Sequence, residues 1–218
     1  MKNTLQIFCL TILISSFSFS QNKKHKDIKY FDESYKQISE KDFEFRKKKN
    51  HLLSVEGDSI NHKILSPLGY QGTIENKEVL DSLLTSLTNK KIDSSKTIVI
   101  IYHPGKDECN SSGSATYSTI KIWFEELETK LFEITQTKPI YIYKDKEGTA
   151  EYDGILTWYK DPNRTIESLF FKYHYPCSSF VVISKNGDFK SYFGEITKEY
   201  IWSFAKSLTK KNKPLKKE

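Results

Sequence analysis

Two cysteines carry the chemistry that the mature chain could perform. The sequence contains three cysteines, and the first of them, Cys9, lies in an apolar stretch typical of an N-terminal export signal. Removal of that signal leaves Cys109 and Cys177. Cysteine pairs of exported proteins meet an oxidising environment, which favours a disulfide. Two cysteines without nearby paired histidines make a poor zinc site, so we expect no bound metal.

The N-terminus predicts export. Lys2 gives a basic start, residues 5–13 are apolar, and Ser18-Phe19-Ser20 forms a small-x-small cleavage site before Gln21. The apolar run is too short to predict a membrane span, and no later stretch is long or apolar enough to cross a bilayer. We therefore expect a periplasmic or extracellular protein with no membrane span after cleavage, with an uncleaved anchor as the alternative.

The charge is moderately basic and locally concentrated. The formal net charge is +6, and much of the excess lies in residues 46–49 and in the tail, residues 210–217. An acidic partner would explain these patches, and so would a solvated face and a frayed terminus. A basic stripe with interleaved aromatic residues, which nucleic-acid binding needs, is missing. We expect solvated patches and no nucleic-acid partner.

Regular elements flank both cysteines. Residues 97–102 form a continuous β-branched run, which predicts a central strand just before Cys109. Apolar residues then recur at steps of three and four from Tyr117 to Ile134, which predicts an amphipathic helix. The Asn186-Gly187 pair predicts a hairpin shortly after Cys177.

The remaining predicted elements complete an α/β order. They are a strand and turn at 52–58, a loose strand pair within 64–74, a helix capped by Asn76, a strand at 139–143, a helix at 165–173, hairpin strands at 180–184 and 189–193, and a helix capped by Thr197. The order from the central strand onward is strand, helix, strand, helix, hairpin, helix. It predicts a parallel strand pair with an antiparallel hairpin at the edge.

With these residues, that order resembles the thioredoxin-like superfamily. The strongest match is residues 179–188, which resemble the family's third strand and its Lys-Asn-Gly turn, followed by a fourth strand ending at Gly194 and a closing helix. The resemblance covers about residues 76–208. It implies a three-layer α/β/α sandwich with a mixed sheet. The other predicted segments are a signal peptide (1–20), an N-terminal extension with short strands (21–75) and a basic tail (209–218).

The chain departs from the family pattern at two places that matter for chemistry. Where the family has Cys-x-x-Cys, this chain has Cys109-Asn-Ser-Ser112, so Ser112 takes the place of the resolving cysteine. Where the family has a cis-proline, this chain has Ser178 or Ser179. In the family, the cis-proline loop faces the first active-site cysteine. Because Cys177 lies in that loop, the resemblance implies a Cys109–Cys177 disulfide.

Two functions follow from this resemblance. In the first, an exported thiol–disulfide oxidoreductase or thiol-dependent chaperone uses Cys109 to attack a client disulfide, Cys177 to resolve the mixed disulfide and Ser112 to donate a hydrogen bond to the thiolate. In the second, the same disulfide staples a redox-inert module that binds an envelope protein. The partners would be exported protein thiols or disulfides, or an envelope protein. No P-loop or dinucleotide fingerprint is present, and we expect no cofactor.

Neighbouring groups would shift the pKa of the Cys109 thiol in opposite directions. A cysteine at a helix N-terminus gains from free backbone N–H groups, which favour the thiolate. The carboxylates of Asp107 and Glu108 would raise the thiol pKa, and Lys106 and His103 would partly oppose them. His103 is a candidate general base.

Three further features have both a functional and a structural interpretation. His174, close to Cys177, is a second candidate general base or a solvent-facing side chain. The acidic loop at residues 145–153 could hold Ca²⁺, but it lacks the EF-hand spacing, and we expect a solvated turn. The aromatic run at residues 158–175 could line a binding groove, and we expect most of it in the core.

Overall fold

The computed structural model describes residues 27–210, except residues 58, 60 and 112–114. The described chain is mixed α/β, with five α-helices and two mixed β-sheets. The predicted signal peptide, the tail after Lys210 and Ser112 lie outside the described residues. Within the described ranges, none of the helices is both long enough and apolar enough to cross a bilayer.

The described regular structure consists of ten strands, five α-helices and two 3₁₀ helices, at Ala150–Tyr152 and Pro162–Arg164. The strands are β1 Lys29–Phe31, β2 Gln37–Ile38, β3 Leu53–Glu56, β4 His62–Ser66, β5 Gln71–Thr73, β6 Ile98–His103, β7 Ile140–Tyr143, β8 Trp158–Lys160, β9 Ser178–Ile183 and β10 Asp188–Gly194. The helices are α1 Glu40–Lys49, α2 Lys77–Thr88, α3 Tyr117–Thr135, α4 Thr165–Phe170 and α5 Lys198–Lys210.

The larger sheet has the strand order β5-β10-β9-β6-β7-β8. Every residue of β6 is buried, as the continuous apolar run predicts for a central strand. β6 and β7 are parallel, and β9 and β10 form the predicted antiparallel hairpin. Gly187 has φ +89° in that hairpin turn, a conformation that glycine adopts without strain. The hairpin is not the sheet edge, because β5 pairs with β10 on its outer side.

Alternate residues of β6 face two separate apolar cores. Val99 and Ile101 pack in one core with side chains of α3 and α5, while Ile100 and Tyr102 pack in the other with side chains of α2 and α4. A strand that is buried on both faces has no polar alternation, which explains the run of β-branched residues. The predicted apolar stripe of α3 is mostly confirmed, but Tyr117 in its first turn is exposed.

Two helices begin at the capping residues that the sequence predicts. The side chain of Asn76 accepts a hydrogen bond from the Val79 backbone N–H at the start of α2, and Thr197 does the same for Tyr200 at α5. Both caps were predicted from the sequence and are confirmed. α2 also contains a buried ion pair, in which Lys77 Nζ lies 2.7 Å from Asp81 Oδ2 and each side chain is 8% exposed.

A smaller sheet with the order β2-β1-β4-β3 precedes the larger one. Val55 of β3 and Ile64 of β4 belong to the same core as α2 and α4. The predicted strand pair within residues 64–74 is wrong, because β4 and β5 belong to different sheets. The segment directly after β4 pairs with β10, because the carbonyls of Leu68 and Tyr70 accept hydrogen bonds from β10. The next strand, β5, continues this pairing along β10.

Candidate functional site

The structure joins Cys109 and Cys177 in a disulfide across 68 positions of sequence, with their Cα atoms 5.0 Å apart. Cys109 lies in the turn after β6 and is exposed, whereas Cys177 directly precedes β9 and is half-buried. β6 and β9 are antiparallel neighbours, with Tyr102 opposite Ser179. The end of β6 therefore meets the start of β9, and the predicted disulfide is confirmed.

The position of Cys109 relative to α3 differs from the expectation. The helix begins at Tyr117 with Thr116 as its N-cap, eight positions after Cys109. Cys109 instead belongs to a turn at residues 108–110. The prediction that a helix N-terminus favours its thiolate is therefore wrong, because that effect is confined to the first turn of a helix.

Side chains beside Cys109 hold both backbone polar groups of Cys177. The Cys177 N–H donates to Asp107 Oδ2 at 2.9 Å, and Asn110 Nδ2 donates to the Cys177 carbonyl at 3.0 Å. Asn110 Nδ2 also donates to the Gly105 carbonyl at 2.9 Å. We call this pair of side chains the Asp107–Asn110 clamp. It connects the two cysteine loops through contacts that are independent of the sulfur–sulfur bond.

The clamp is itself fixed by hydrogen bonds inside its own turn. The Asp107 N–H donates to Asn110 Oδ1 at 2.8 Å, and the Asn110 N–H donates to Asp107 Oδ1 at 2.9 Å. The Ser111 hydroxyl donates to the Asp107 carbonyl. On the other loop, Cys177 has φ +67°, a left-handed conformation that costs a non-glycine residue about 1–2 kcal/mol. The two hydrogen bonds to its backbone offset this cost.

The two candidate histidines occupy different environments. His174 Nε2 lies 3.5 Å from Asp107 Oδ2, and its side chain is 45% exposed. His174 therefore contacts the same carboxylate oxygen that accepts the hydrogen bond from the Cys177 backbone. His103 is buried at the end of β6, and its Nε2 lies 2.9 Å from the Glu147 carbonyl. Because a carbonyl only accepts, Nε2 carries the proton and donates it there. Of the two, only His174 contacts the clamp.

An apolar cavity of about 270 Å³ opens at the start of β9. Ser178, the residue after Cys177, contributes to its wall, and aromatic side chains of α3, β8 and the 3₁₀ helix at Ala150–Tyr152 form much of the rest. The aromatic lining residues are Trp123, Phe124, Tyr152 and Trp158. Sequence reasoning missed this cavity, because it assigned Phe124 only to the core stripe of α3 and gave Trp123 no role.

The other predicted site residues are placed as follows. Ser178 begins β9 and is half-buried, while Ser179 is buried and pairs with Tyr102. Ser112 lies outside the described residues. In the predicted acidic loop, Asp145 Oδ1 accepts the Glu147 N–H at 3.0 Å, which is a local turn contact. No group of three or more potential metal ligands occurs among the residues that the structure describes.

The predicted aromatic run is divided between the two faces of the large sheet. Phe170, Phe171 and Tyr175 are buried in the core that contains α2 and α4, as expected for core residues. Trp158 packs against the opposite core and lines the cavity. The run therefore does not form one continuous groove.

A buried carboxylate stabilises α4 near the end of β6. Asp161 accepts the backbone N–H groups of Ile166 and Glu167, each at 2.9 Å. Burial raises the pKa of Asp161 above its ordinary value. The pKa of Glu167 is below its ordinary value. Burial alone would raise this pKa, but the hydrogen bonds from Arg164 and Lys144 outweigh the effect of burial. The sequence indicated only that residues 161–163 precede a helix.

Comparison of the chain with known protein families and with curated proteins gives no match. The function is therefore argued from the site, because a fold alone does not specify one. The site consists of a disulfide with one exposed cysteine, the Asp107–Asn110 clamp and the apolar cavity.

Proposed function

We propose that this protein is an exported, thioredoxin-like protein whose Cys109–Cys177 pair exchanges electrons with thiols or disulfides of other exported proteins. The observation that carries the proposal is the exposure of Cys109 within a disulfide at the end of β6. Thiol–disulfide exchange needs an accessible sulfur that an incoming thiolate can approach in line. A disulfide is also typical of oxidising compartments, which supports export.

The order of elements supports the thioredoxin-like assignment. The resemblance implies a parallel strand–helix–strand unit, an antiparallel hairpin and a closing helix, and the chain has β6-α3-β7, then β9-β10, then α5 in that order. Apolar cores on both faces of the large sheet are what a three-layer α/β/α sandwich requires. The smaller sheet, β5 and β8 are additions to that plan.

The proposed exchange proceeds through a mixed disulfide. A client thiolate attacks Cys109 Sγ, the bond to Cys177 breaks, and Cys177 leaves as a thiolate that takes a proton from solvent. A second client thiolate then attacks the client sulfur of the mixed disulfide, which forms a client disulfide and releases Cys109 as a thiolate. Two electrons pass from the client to the protein. The reverse sequence carries two electrons to a client disulfide.

The apolar cavity supports a polypeptide as the partner. Ser178, which lines the cavity, directly follows Cys177, the cysteine that a client thiolate would displace. Apolar pockets with few polar groups bind side chains by removing apolar surface from water. A small hydrophilic thiol would not use this surface, whereas an apolar side chain near a client cysteine would.

A second candidate function is a redox-inert binding module in which the disulfide is a staple. The clamp favours this alternative, because it holds Cys177 with two hydrogen bonds besides the disulfide. A rigidly held pair of thiols re-forms its disulfide readily, and such a disulfide resists reduction. The partner would then be an envelope protein that binds without exchanging electrons.

The reduction potential of the pair distinguishes the two functions. We would equilibrate the purified protein in glutathione buffers, trap its thiols, and use Cys109→Ser and Cys177→Ser as controls. A catalyst should have a potential between about −270 and −120 mV, and Cys177→Ser should accumulate mixed disulfides on Cys109. A potential below about −300 mV would indicate a staple. Two thiols that never pair would contradict both functions.

A further inference from the structure

The contacts between the cysteine loops suggest a role for Asn110 that goes beyond the proposed function. Its amide nitrogen bridges the Gly105 carbonyl on one loop and the Cys177 carbonyl on the other, at 2.9 and 3.0 Å. Its amide oxygen accepts the Asp107 N–H, and this fixes the orientation of the side chain. All of these contacts involve backbone or amide groups, and none of them uses a sulfur atom of the disulfide.

We infer that Asn110, together with Asp107, is a positioning residue that holds Cys177 against Cys109 after reduction and thereby sets the equilibrium between dithiol and disulfide. The two loops are otherwise 68 positions apart in sequence. Thiols that stay adjacent react as if at a high local concentration, and closure of the disulfide then costs less chain entropy. The inference holds for a catalyst and for a staple alike.

Linkage fixes the direction of the effect. If formation of the disulfide makes the hydrogen bond between the Asn110 amide and the Cys177 carbonyl more favourable by some factor, that hydrogen bond must favour the disulfide over the dithiol by the same factor. Removing the Asn110 amide should therefore weaken the disulfide relative to the dithiol. One such hydrogen bond corresponds to a factor of roughly 2 to 13 in an equilibrium constant.

The test is the reduction potential of Asn110→Ala in glutathione buffers. The reaction consumes both thiols and one oxidised glutathione, and it yields the protein disulfide and two reduced glutathione molecules. We expect the equilibrium constant for this oxidation to fall about tenfold, which raises the potential by about 30 mV for a two-electron couple. Asn76→Ala is the matched control, because it removes a side-chain hydrogen bond to the backbone at the N-cap of α2, outside the cysteine loops. Its potential should equal that of the wild type.

The inference fails if Asn110→Ala keeps the wild-type potential, or if Asn76→Ala shifts the potential as much. If Asn110→Ala does not fold, a second measurement tests the inference on the wild-type protein. In the reduced wild type, the Cys177 amide proton should still exchange slowly with solvent, because it is donated to Asp107. Exchange at the rate of an unprotected amide would overturn the inference. A wild-type potential below the range of catalysts would reject the proposed exchange activity and leave this test intact.

Discussion

Removal of the disulfide should lower the stability of the protein by an amount that its loop length determines. The bond closes a loop of 68 positions. In the chain-entropy model, a cross-link of this span stabilises the native state by about 4 kcal/mol, because it restricts the unfolded chain. For a domain of this size, the loss corresponds to a fall in Tm of roughly 8–16 °C. The Asp107–Asn110 clamp does not diminish this effect, since it acts in the native state only.

Urea unfolding of the Cys109→Ser/Cys177→Ser double variant measures this loss directly. Wild-type protein that has been reduced, with its thiols left unalkylated, should unfold at the same urea midpoint as the double variant, because both lack the cross-link. The m-value should rise slightly in both, because an unfolded chain without the cross-link exposes more surface. A stability loss below about 1 kcal/mol in the double variant would refute the chain-entropy argument for this loop.

Three further predictions concern positions away from the disulfide, each measured by urea unfolding. Asp81→Ala should lower the free energy of unfolding by about 3–5 kcal/mol, because it leaves the Lys77 ammonium buried and unpaired. Adding Lys77→Met should restore most of this loss. A loss below about 1 kcal/mol would contradict the prediction. Glu167→Gln should cost about 1–2 kcal/mol at pH 7. Because the folded pKa of Glu167 is below its ordinary 4.5, its contribution is present above that pH and lost as pH falls through the folded pKa, so a deficit that persisted at pH 2 would contradict this assignment. Gly69→Ala should cost about 1–3 kcal/mol, because its Cβ would lie 2.0 Å from the Ser191 carbonyl oxygen; a wild-type midpoint would show that the chain shifts freely there.

Local patterns predicted the elements that frame the site. The run of β-branched residues alone predicted β6, and the Asn-Gly turn alone predicted the β9–β10 hairpin. α3 was predicted from its apolar period, but the period gave no information about which aromatic residues beside the stripe would border a cavity. Trp123 lines that cavity, whereas Tyr117, which fits the stripe, is exposed.

The parts that sequence reasoning missed depend on contacts between distant positions. The clamp joins Asn110 to Cys177, and no local pattern signals a hydrogen bond across such a separation. β1 and β2 are three and two residues long, too short to show a period, so these two strands and their pairing could not be predicted. The disulfide was predicted because a family resemblance supplied the long-range proximity of the two loops.

The edges of the larger sheet restrict how a polypeptide can be recognised. β5 has three residues, all exposed, and β8 has three residues followed by Asp161 and Pro162. An extended peptide that added itself as a further strand would find only a few backbone partners at either edge, and proline offers no N–H at all. Strand addition is therefore a poor mode of binding at the larger sheet. A polypeptide partner at this sheet would be held by its side chains, and under the proposed exchange activity the affinity should depend on which residue accompanies the client cysteine.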